Sequence, residues 1–412
     1  MATSNPDLGA LIEALPGMDR VFPALEGLPP TYLVGGALRD LLRGAVTKDL
    51  DLAVEGRADA VARELAQRLG GEVEGYERFG TATVRAGDLR LDLAAARRER
   101  YRLPGALPEV EPATIDEDLG RRDFTINAMA AALAAEERGR LHDPHGGRHD
   151  LEAGVIRILH RHSFVDDPTR LLRAVRYEAR LGFAMDRDTE ALARAAAADR
   201  VAGTVSAKRI GDELLQLLAE EPLPAALARL ADLGLDRALD PALAVDPDFA
   251  AAAAEAAPAV GADRAMAALA ALVTGSLDVL GSWLEGLDLG AQRRDRVVGA
   301  ARAAGPITAA LNSDPLLPDS ELRRLLARPP PEALALARAL GAPPEPISRY
   351  LEDLRAVRLD IGGDDLLAAG IEPSPTLGRA LAETLRRKLD GEVSGREEEL
   401  RLALALAREE TR

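Results

Sequence analysis

Asp49 and Asp51 flank Leu50 in the run DLDLAV, whose alternating character reads as a β-strand. Successive strand residues point to opposite faces, so the two carboxylates share one face while Leu50 turns into a core. Two adjacent carboxylates repel unless a cation lies between them. A hard divalent ion such as Mg²⁺ takes oxygen ligands and keeps a substrate phosphate in its shell. Upstream, Tyr32, Leu33 and Val34 form an apolar β-prone run that stops at Gly35-Gly36, and Ala37 to Arg43 has helical spacing closed by Gly44. A glycine turn at a helix start can present backbone N–H groups to phosphate, with Arg39 one turn further on. Alone, Asp-x-Asp is as readily two solvated strand residues, and Gly-Gly a plain turn. Together, with Arg39-Asp40 between them, they suggest metal-assisted nucleotidyl transfer.

These residues must be positioned by elements the rest of the chain supplies. Residues 7 to 28 read as a helical lead-in, and Ala58 to Leu69 as a helix stopped by Gly70-Gly71. Short β-prone runs follow at Glu72 to Glu74, Thr81 to Arg85 and Leu89 to Leu93. Asp92 alternates with Leu91 and Leu93, as an exposed strand residue or as a third acid beside the first two. Residues 96 to 120 are rich in proline and charge and read as a loop connection. In RRDFTINAMA, residues 121 to 130, an arginine pair and an acid precede an apolar helical run, which Asp123 could simply cap.

All five histidines fall between His142 and His162. Asp143-Pro144 and Gly146-Gly147 interrupt them, and no cysteine accompanies them, so a zinc site is disfavoured. In the run FVDDPTRLLRAVRY, Pro168 suits a first helical turn. Asp167 and Arg170, three apart, share a face of that helix. Arg173, Arg176 and Arg180 form one stripe on it, a local basic track. From Asp188 to Leu218 the pattern is helical, and beyond residue 220 nearly everything is Ala- and Leu-rich amphipathic helix broken by Pro and Gly.

Composition bounds the partners. The 412 residues suffice for two to four domains with real cores. A net charge of −16 argues against indiscriminate nucleic-acid binding, since phosphate affinity comes from Lys and Arg, and leaves only a local track for it. There is no apolar run long enough to span a bilayer and no signal-peptide pattern over Met1 to Asp19. The absence of cysteine excludes disulfides and fits a cytoplasmic protein. No obligate protein partner is evident.

GGALRD followed by DLDLAV resembles the head-domain signature of the nucleotidyltransferase superfamily that includes DNA polymerase beta. More narrowly, it resembles the bacterial class II tRNA nucleotidyltransferase and poly(A) polymerase family. RRDFTINAMA matches that family's second motif, DPHGGRHDL resembles its third, and DDPTR its fourth, with Asp166 where many members carry glutamate. Lys208-Arg209 with Asp212-Glu213 resembles its neck-stabilising fifth motif, the alternative being a solvated helix face. A weaker likeness covers the tail from 361 to 405, where Ser374 replaces the usual glycine of a Pro-Gly-Pro turn.

The resemblance implies an α+β protein: an α/β nucleotidyltransferase head over 1–140, then an all-α neck (141–220), body (221–345) and RNA-binding tail (346–412). It implies that Asp49 and Asp51, with Asp92 as a further ligand, hold two Mg²⁺. One ion would activate an RNA 3′-hydroxyl, and the other would stabilise the departing pyrophosphate. Gly35, Gly36 and Arg39 would hold the triphosphate of ATP or CTP. Arg122 and Asp123 would contact sugar and phosphates, with Asn127 fixing the turn. Asp167 and Arg170 would read the base, with Arg173 and Arg176 nearby. Arg379, Arg386, Arg387 and Lys388 would touch RNA phosphates, or form a solvated helix face. The implied activity is template-independent CMP and AMP addition to the 3′ end of tRNA. A-only or poly(A) addition is the alternative, since the wording of residues 96–120 and of the DDPTR helix looks most like A-adding members. A non-catalytic RNA-binding protein on this scaffold is the more distant reading, disfavoured by the presence of both aspartates.

Overall fold

The computed structural model describes residues 7–45, 49–77, 80–100, 105, 107–314 and 316–409; the side chains of Asp49 and of residues 75–77 lie outside that description. Contacts divide the chain into two compact units, Met1–Pro222 with Arg229–Pro241, and Leu223–Ala228 with Ala242–Arg412.

The first unit opens with two short helices in place of one lead-in, α1 (Leu8–Glu13) and α2 (Met18–Leu25). Gly17, at φ +82°, separates them. Then come β1 (Thr31–Val34), α3 (Gly35–Leu42), β2 (Asp49–Val54), α4 (Ala58–Leu69), β3 (Glu72–Glu77), β4 (Thr81–Ala86) and β5 (Leu89–Ala95). α4 ends at Gly70, which takes the left-handed conformation at φ +66° and closes the last turn. Residues 96–120, expected to be a loop, instead hold a hairpin of β6 (Arg97–Arg100) and β7 (Glu109–Pro112), followed by α5 (Ile115–Leu119). The hairpin is built from complementary charge, Arg98 pairing with Glu111 across it.

After a single 3₁₀ turn at Thr125–Asn127, the alanine-rich end of the RRDFTINAMA region becomes β8 (Ala130–Ala132). The helical reading of that run is therefore corrected: pairing with β1 overrides alanine's preference for helix. β9 (Leu141–His142) completes a seven-stranded mixed sheet ordered β3-β4-β5-β2-β1-β8-β9. β1 lies near its middle and is buried along its whole length, whereas β4 alternates inside and out. Tyr32, Val34, Ala53, Ile115, Leu119 and Ala128 pack into one core beneath the sheet's centre. Among the described strands of this sheet only the β2–β5 pair is parallel, with Asp51 aligned to Asp92.

The remainder of this unit is helical, apart from the short pair β10 (Val155–Ile156) and β11 (Ala184–Met185). Its helices include α6 (Gly147–Ala153), α7 (Ser163–Asp166), α8 (Thr169–Leu181), α9 (Arg187–Ala198) and α10 (Ala207–Leu218). Gly147 lets α6 approach the 3₁₀ turn closely, since a Cβ there would lie 2.1 Å from the Thr125 carbonyl oxygen.

Among the described residues the regular elements of the second unit are all helices, including Pro247–Ala256 and, at its end, Gly395–Glu409. It includes one π-turn at Tyr350–Leu354. Near its end Ile361, Leu366, Ala380, Ala403 and Ala407 form a small separate core. A mixed sheet with helices followed by helices is the α+β architecture expected from the sequence.

Candidate active site

A cleft of about 1170 Å³ opens in the first unit. Gly35, Gly36, Arg39, Asp51, Asp92, Arg122, Asp123, Asn127, Asp167, Arg170 and Arg173 all line it, although the sequence spreads them over some 140 positions. The sheet supplies the acidic wall. Asp51 is exposed on β2 between buried Leu50 and Leu52, and its parallel neighbour Asp92 leaves β5 on the same side. Asp92 accepts from the Thr83 hydroxyl at 2.6 Å and from Arg90 Nε at 3.1 Å. Asp49, the first residue of β2, has its side chain outside the described residues. Among the described residues no three His, Cys, Asp or Glu side chains converge as a metal cluster. Hard carboxylate oxygens facing an open cleft are the donor set that Mg²⁺ takes, so Asp51 and Asp92 fit it, with Arg90 already offsetting part of the charge on Asp92.

Facing the acids is the glycine turn. α3 begins at Gly35, whose φ of +63° is a left-handed conformation that glycine adopts without strain. A Cβ there would lie 3.1 Å from Arg122 Nη1 and 4.0 Å from Asp51 Oδ2, so the turn, the arginine and the carboxylate meet. Gly36 has no such constraint; a Cβ on it would meet only Arg39, at 3.5 Å. Arg39 itself is buried and largely committed. It donates from Nε and Nη2 to Asp40 at 2.9 Å each and from Nη1 to Asn127 Oδ1 at 2.8 Å, and it lies over the Tyr177 ring. Arg122 is less engaged: Nη2 donates to Asp118 at 3.1 Å, Nη1 donates to the Asn127 carbonyl at 3.4 Å, and Nε is buried with no partner among the described residues.

Asp123 is the hub of a web. Its Oδ1 accepts from the Phe124 amide at 2.8 Å and from Asn127 Nδ2 at 3.0 Å. Its Oδ2 accepts from Arg173 Nε and Nη2 at 2.9 and 2.6 Å. Burial alone would push this carboxyl up, but the Arg173 charge and the Asn127 bond outweigh it and hold the group at about 2. Arg173 continues to Glu213 at 2.9 Å. Arg176 bonds Glu213 at 3.2 Å, and Arg180 lies 3.0 Å from Glu220. The basic track expected on α8 is thus neutralised by carboxylates of Glu213, Glu220 and Asp123, because buried guanidinium groups need counter-charge. Arg176 is buried in this web and does not line the cleft.

The expected base-reading pair sits at the start of α8. Asp167 Oδ1 accepts from the Thr169 amide at 3.1 Å and its hydroxyl at 2.6 Å. Asp167 Oδ2 accepts from Arg209 Nη2 at 2.7 Å. Arg170 is buried and donates to Ser163 Oγ at 2.6 Å and to the Arg121 carbonyl at 2.8 Å. Arg209 and Glu213, which the sequence placed only in a neck-stabilising motif, therefore reach the cleft residues directly. Their spacing of four on α10 was the signal available for this.

The remaining expected site residues belong to the second unit. Arg386 and Arg387 both bond Glu383, and those hydrogen bonds, reinforced by the arginine charges, hold that carboxyl at about 2. Lys388 pairs with Glu399 at 2.6 Å and Asp360 at 3.1 Å, and Arg379 donates to Thr376 at 3.3 Å. Of the histidines, His142 packs edge-on to Tyr32 and bonds Asp116 at 3.1 Å. Beside these, burial and Glu55 push the Tyr32 phenol up to about 12. No described helix is long and apolar enough to cross a membrane.

Comparison with known proteins identifies the chain's relatives. Residues 31–157 match the poly A polymerase head domain. An A-adding tRNA nucleotidyltransferase of Geobacter sulfurreducens is 35% identical over 92% of this chain, which spans 45% of that protein; the chain covers about half or less of such A-adding relatives. A CC-adding tRNA nucleotidyltransferase of Deinococcus radiodurans is 34% identical over 89% of this chain and 87% of its own length. The Thermotoga maritima CCA-adding enzyme, solved in complex with tRNA, superposes with a TM-score of 0.73 at 30% identity over 97% of this chain and 98% of that one. With this identity carried through nearly the whole of two such proteins, the chain belongs to the tRNA nucleotidyltransferase and poly(A) polymerase family.

Proposed function

We propose that this protein transfers AMP and CMP from ATP and CTP to the 3′ end of tRNA without a nucleic-acid template. What carries the reading is the single cleft that gathers a carboxylate face, a glycine turn and an Asp–Arg pair from three distant stretches. The base is read by side chains. Asp167 accepts from an exocyclic amino group and Arg170 donates to a ring nitrogen or carbonyl oxygen, so C and A match while U and G do not. Arg122, beside the Gly35 turn and with a buried Nε that has no partner among the described residues, takes the phosphate side together with the turn's amides. Arg39, tied to Asp40 and Asn127, fixes that wall from behind. Asp123 holds its neighbours in register for the ribose. Asp49 and Asp51, with Asp92 beside them, would hold Mg²⁺, which supplies charge stabilisation and an acidified 3′-hydroxyl when bound.

A-only addition is the second reading, favoured by the A-adding relative that matches 92% of this chain. Both readings include AMP transfer, and CMP transfer separates them. The test is to incubate the protein with tRNA ending before CCA, or after CC, with CTP and ATP separately and together. Completion of CCA on the first tRNA is expected. Extension of only the second tRNA, by one A, would select the second reading. Unlimited A tracts would make it a poly(A) polymerase, and extension of neither would overturn nucleotidyl transfer.

A further inference from the structure

We infer that Arg209 on α10 is a specificity-determining positioning residue, which sets the plane of the Asp167 carboxylate and so decides which bases the cleft accepts. The inference rests on the reading of Asp167 as base acceptor given above. Asp167 has two oxygens with different surroundings. Oδ1 is occupied twice over by Thr169, through its amide and its hydroxyl. Oδ2 has one described donor, Arg209 Nη2 at 2.7 Å, and is the oxygen with a lone pair left for an amino group.

Arg209 is unusual among the arginines around this cleft. Arg173 and Arg39 each have several partners. Among the described residues Arg209 has one partner, Asp167, and its Nη1 is buried without any. A buried guanidinium nitrogen left unsatisfied costs free energy, so the position of this side chain is explained by what the Nη2 bond does. α10 is anchored against α8 by the neighbouring turn, where Glu213 holds Arg173 and Arg176. The Arg209–Asp167 bond therefore transmits a fixed helix position to the acceptor oxygen. Without it, Thr169 alone holds the carboxylate, from one side. A carboxylate free to turn can let a water bridge it to a carbonyl oxygen, the group that distinguishes U and G.

The experiment compares wild type with Arg209→Ala, Arg209→Gln and Arg209→Lys. It measures Kd for ATP, CTP, UTP and GTP without tRNA, and then kcat and KM for transfer to tRNA. Discrimination of ATP against UTP and GTP should fall roughly tenfold to a hundredfold in the Ala and Gln variants. Loss of kcat with the matched nucleotide should be smaller, and Lys, which keeps a charged donor, should recover part of the discrimination. Arg209→Gln, which keeps the bulk, is read alone if Arg209→Ala does not fold. Unchanged discrimination in a folded Gln variant would overturn the inference while leaving nucleotidyl transfer standing. Wild-type protein that binds no nucleotide would instead remove the reading on which it rests.

Discussion

Two aspartates of the same cleft live under opposite conditions. Asp51 projects from a strand into open solvent, and Asp92 beside it is shared between Thr83 and Arg90. Asp123 is buried, accepts four hydrogen bonds from three residues and is held at about 2. The contrast separates two jobs. A carboxylate meant to meet an ion or a phosphate must keep coordination capacity toward solvent. One meant to hold a wall in place does so by satisfying every neighbour it has, because an unpaired buried charge is expensive.

The sharpest way to break this comparison is to remove one acid of each kind. Asp51→Ala, like Asp49→Ala, should lower AMP incorporation by about a thousandfold or more, the loss of several kcal/mol of transition-state stabilisation. Because the Asp51 side chain is exposed, stability should change by only about 0.5 kcal/mol. Normal transfer by that variant would sink the mechanism. Asp123→Ala should do the reverse in order of cause, costing about 3–5 kcal/mol of stability in the first unit by stranding Arg173, with activity lost as a consequence. Thermal or urea unfolding measures it, and an unshifted midpoint would show that the web is not what holds the wall.

How much of this could be read from the chain divides along the same line. The strand–turn–helix–strand wording around Gly35 and Asp51, and the end of α4 at Gly70, follow local rules of alternation and capping, so they were legible. The alanine run at 130–132 was not, because its strand form depends on a partner, β1, some hundred residues earlier. The hairpin in residues 96–120 was missed for a related reason. Its charges look like solvated loop until Arg98 is set opposite Glu111. On α8 the arginines were correctly placed on one stripe, but a stripe seen from one helix says nothing of the glutamates that face it from the next. The partnership of Arg209 with Asp167 is tertiary in the same way.

The buried member of the comparison also predicts a pH dependence. Asp123 has its carboxyl lowered from 3.8 to about 2 on folding. A depressed carboxyl stabilises the fold above its unfolded value and loses that stabilisation as pH falls through the folded one. The contribution, about 2 kcal/mol, should therefore be fully present from about pH 5 upward and fade between about pH 4 and pH 2. Melting temperatures taken across that range should fall less steeply for Asp123→Asn than for wild type. Equal slopes would mean that Asp123 titrates normally in the folded protein.

A smaller effect tests the glycine turn that lies beside Asp51. Gly35→Ala places a Cβ where φ is +63°, at a cost of about 1–2 kcal/mol, and within 3.1 Å of Arg122 Nη1. Gly36→Ala meets only Arg39 at 3.5 Å and has no left-handed backbone to strain. KM for ATP should rise roughly tenfold in the first variant and less in the second. Equal effects would place the phosphate contact at Gly36 and reduce Gly35 to a turn.

The same distinction between satisfied and available charge extends to the second unit, where the expected difference is smallest. By sequence Arg386 and Arg387 are candidate phosphate contacts, yet both already bond Glu383, one turn away on their own helix. A cation paired in this way must give up a carboxylate to take a phosphate, so it gains little from the exchange. A cation that does neutralise an RNA phosphate releases counterions, and removing it lowers the slope of log affinity against log salt by about 0.7 to 0.9. Measured on tRNA binding between low and moderate salt, Arg386→Ala with Arg387→Ala should leave that slope nearly unchanged. A drop of about one per arginine would show that Glu383 releases them to RNA, and that in this helix the pairing holds the arginines ready for the substrate.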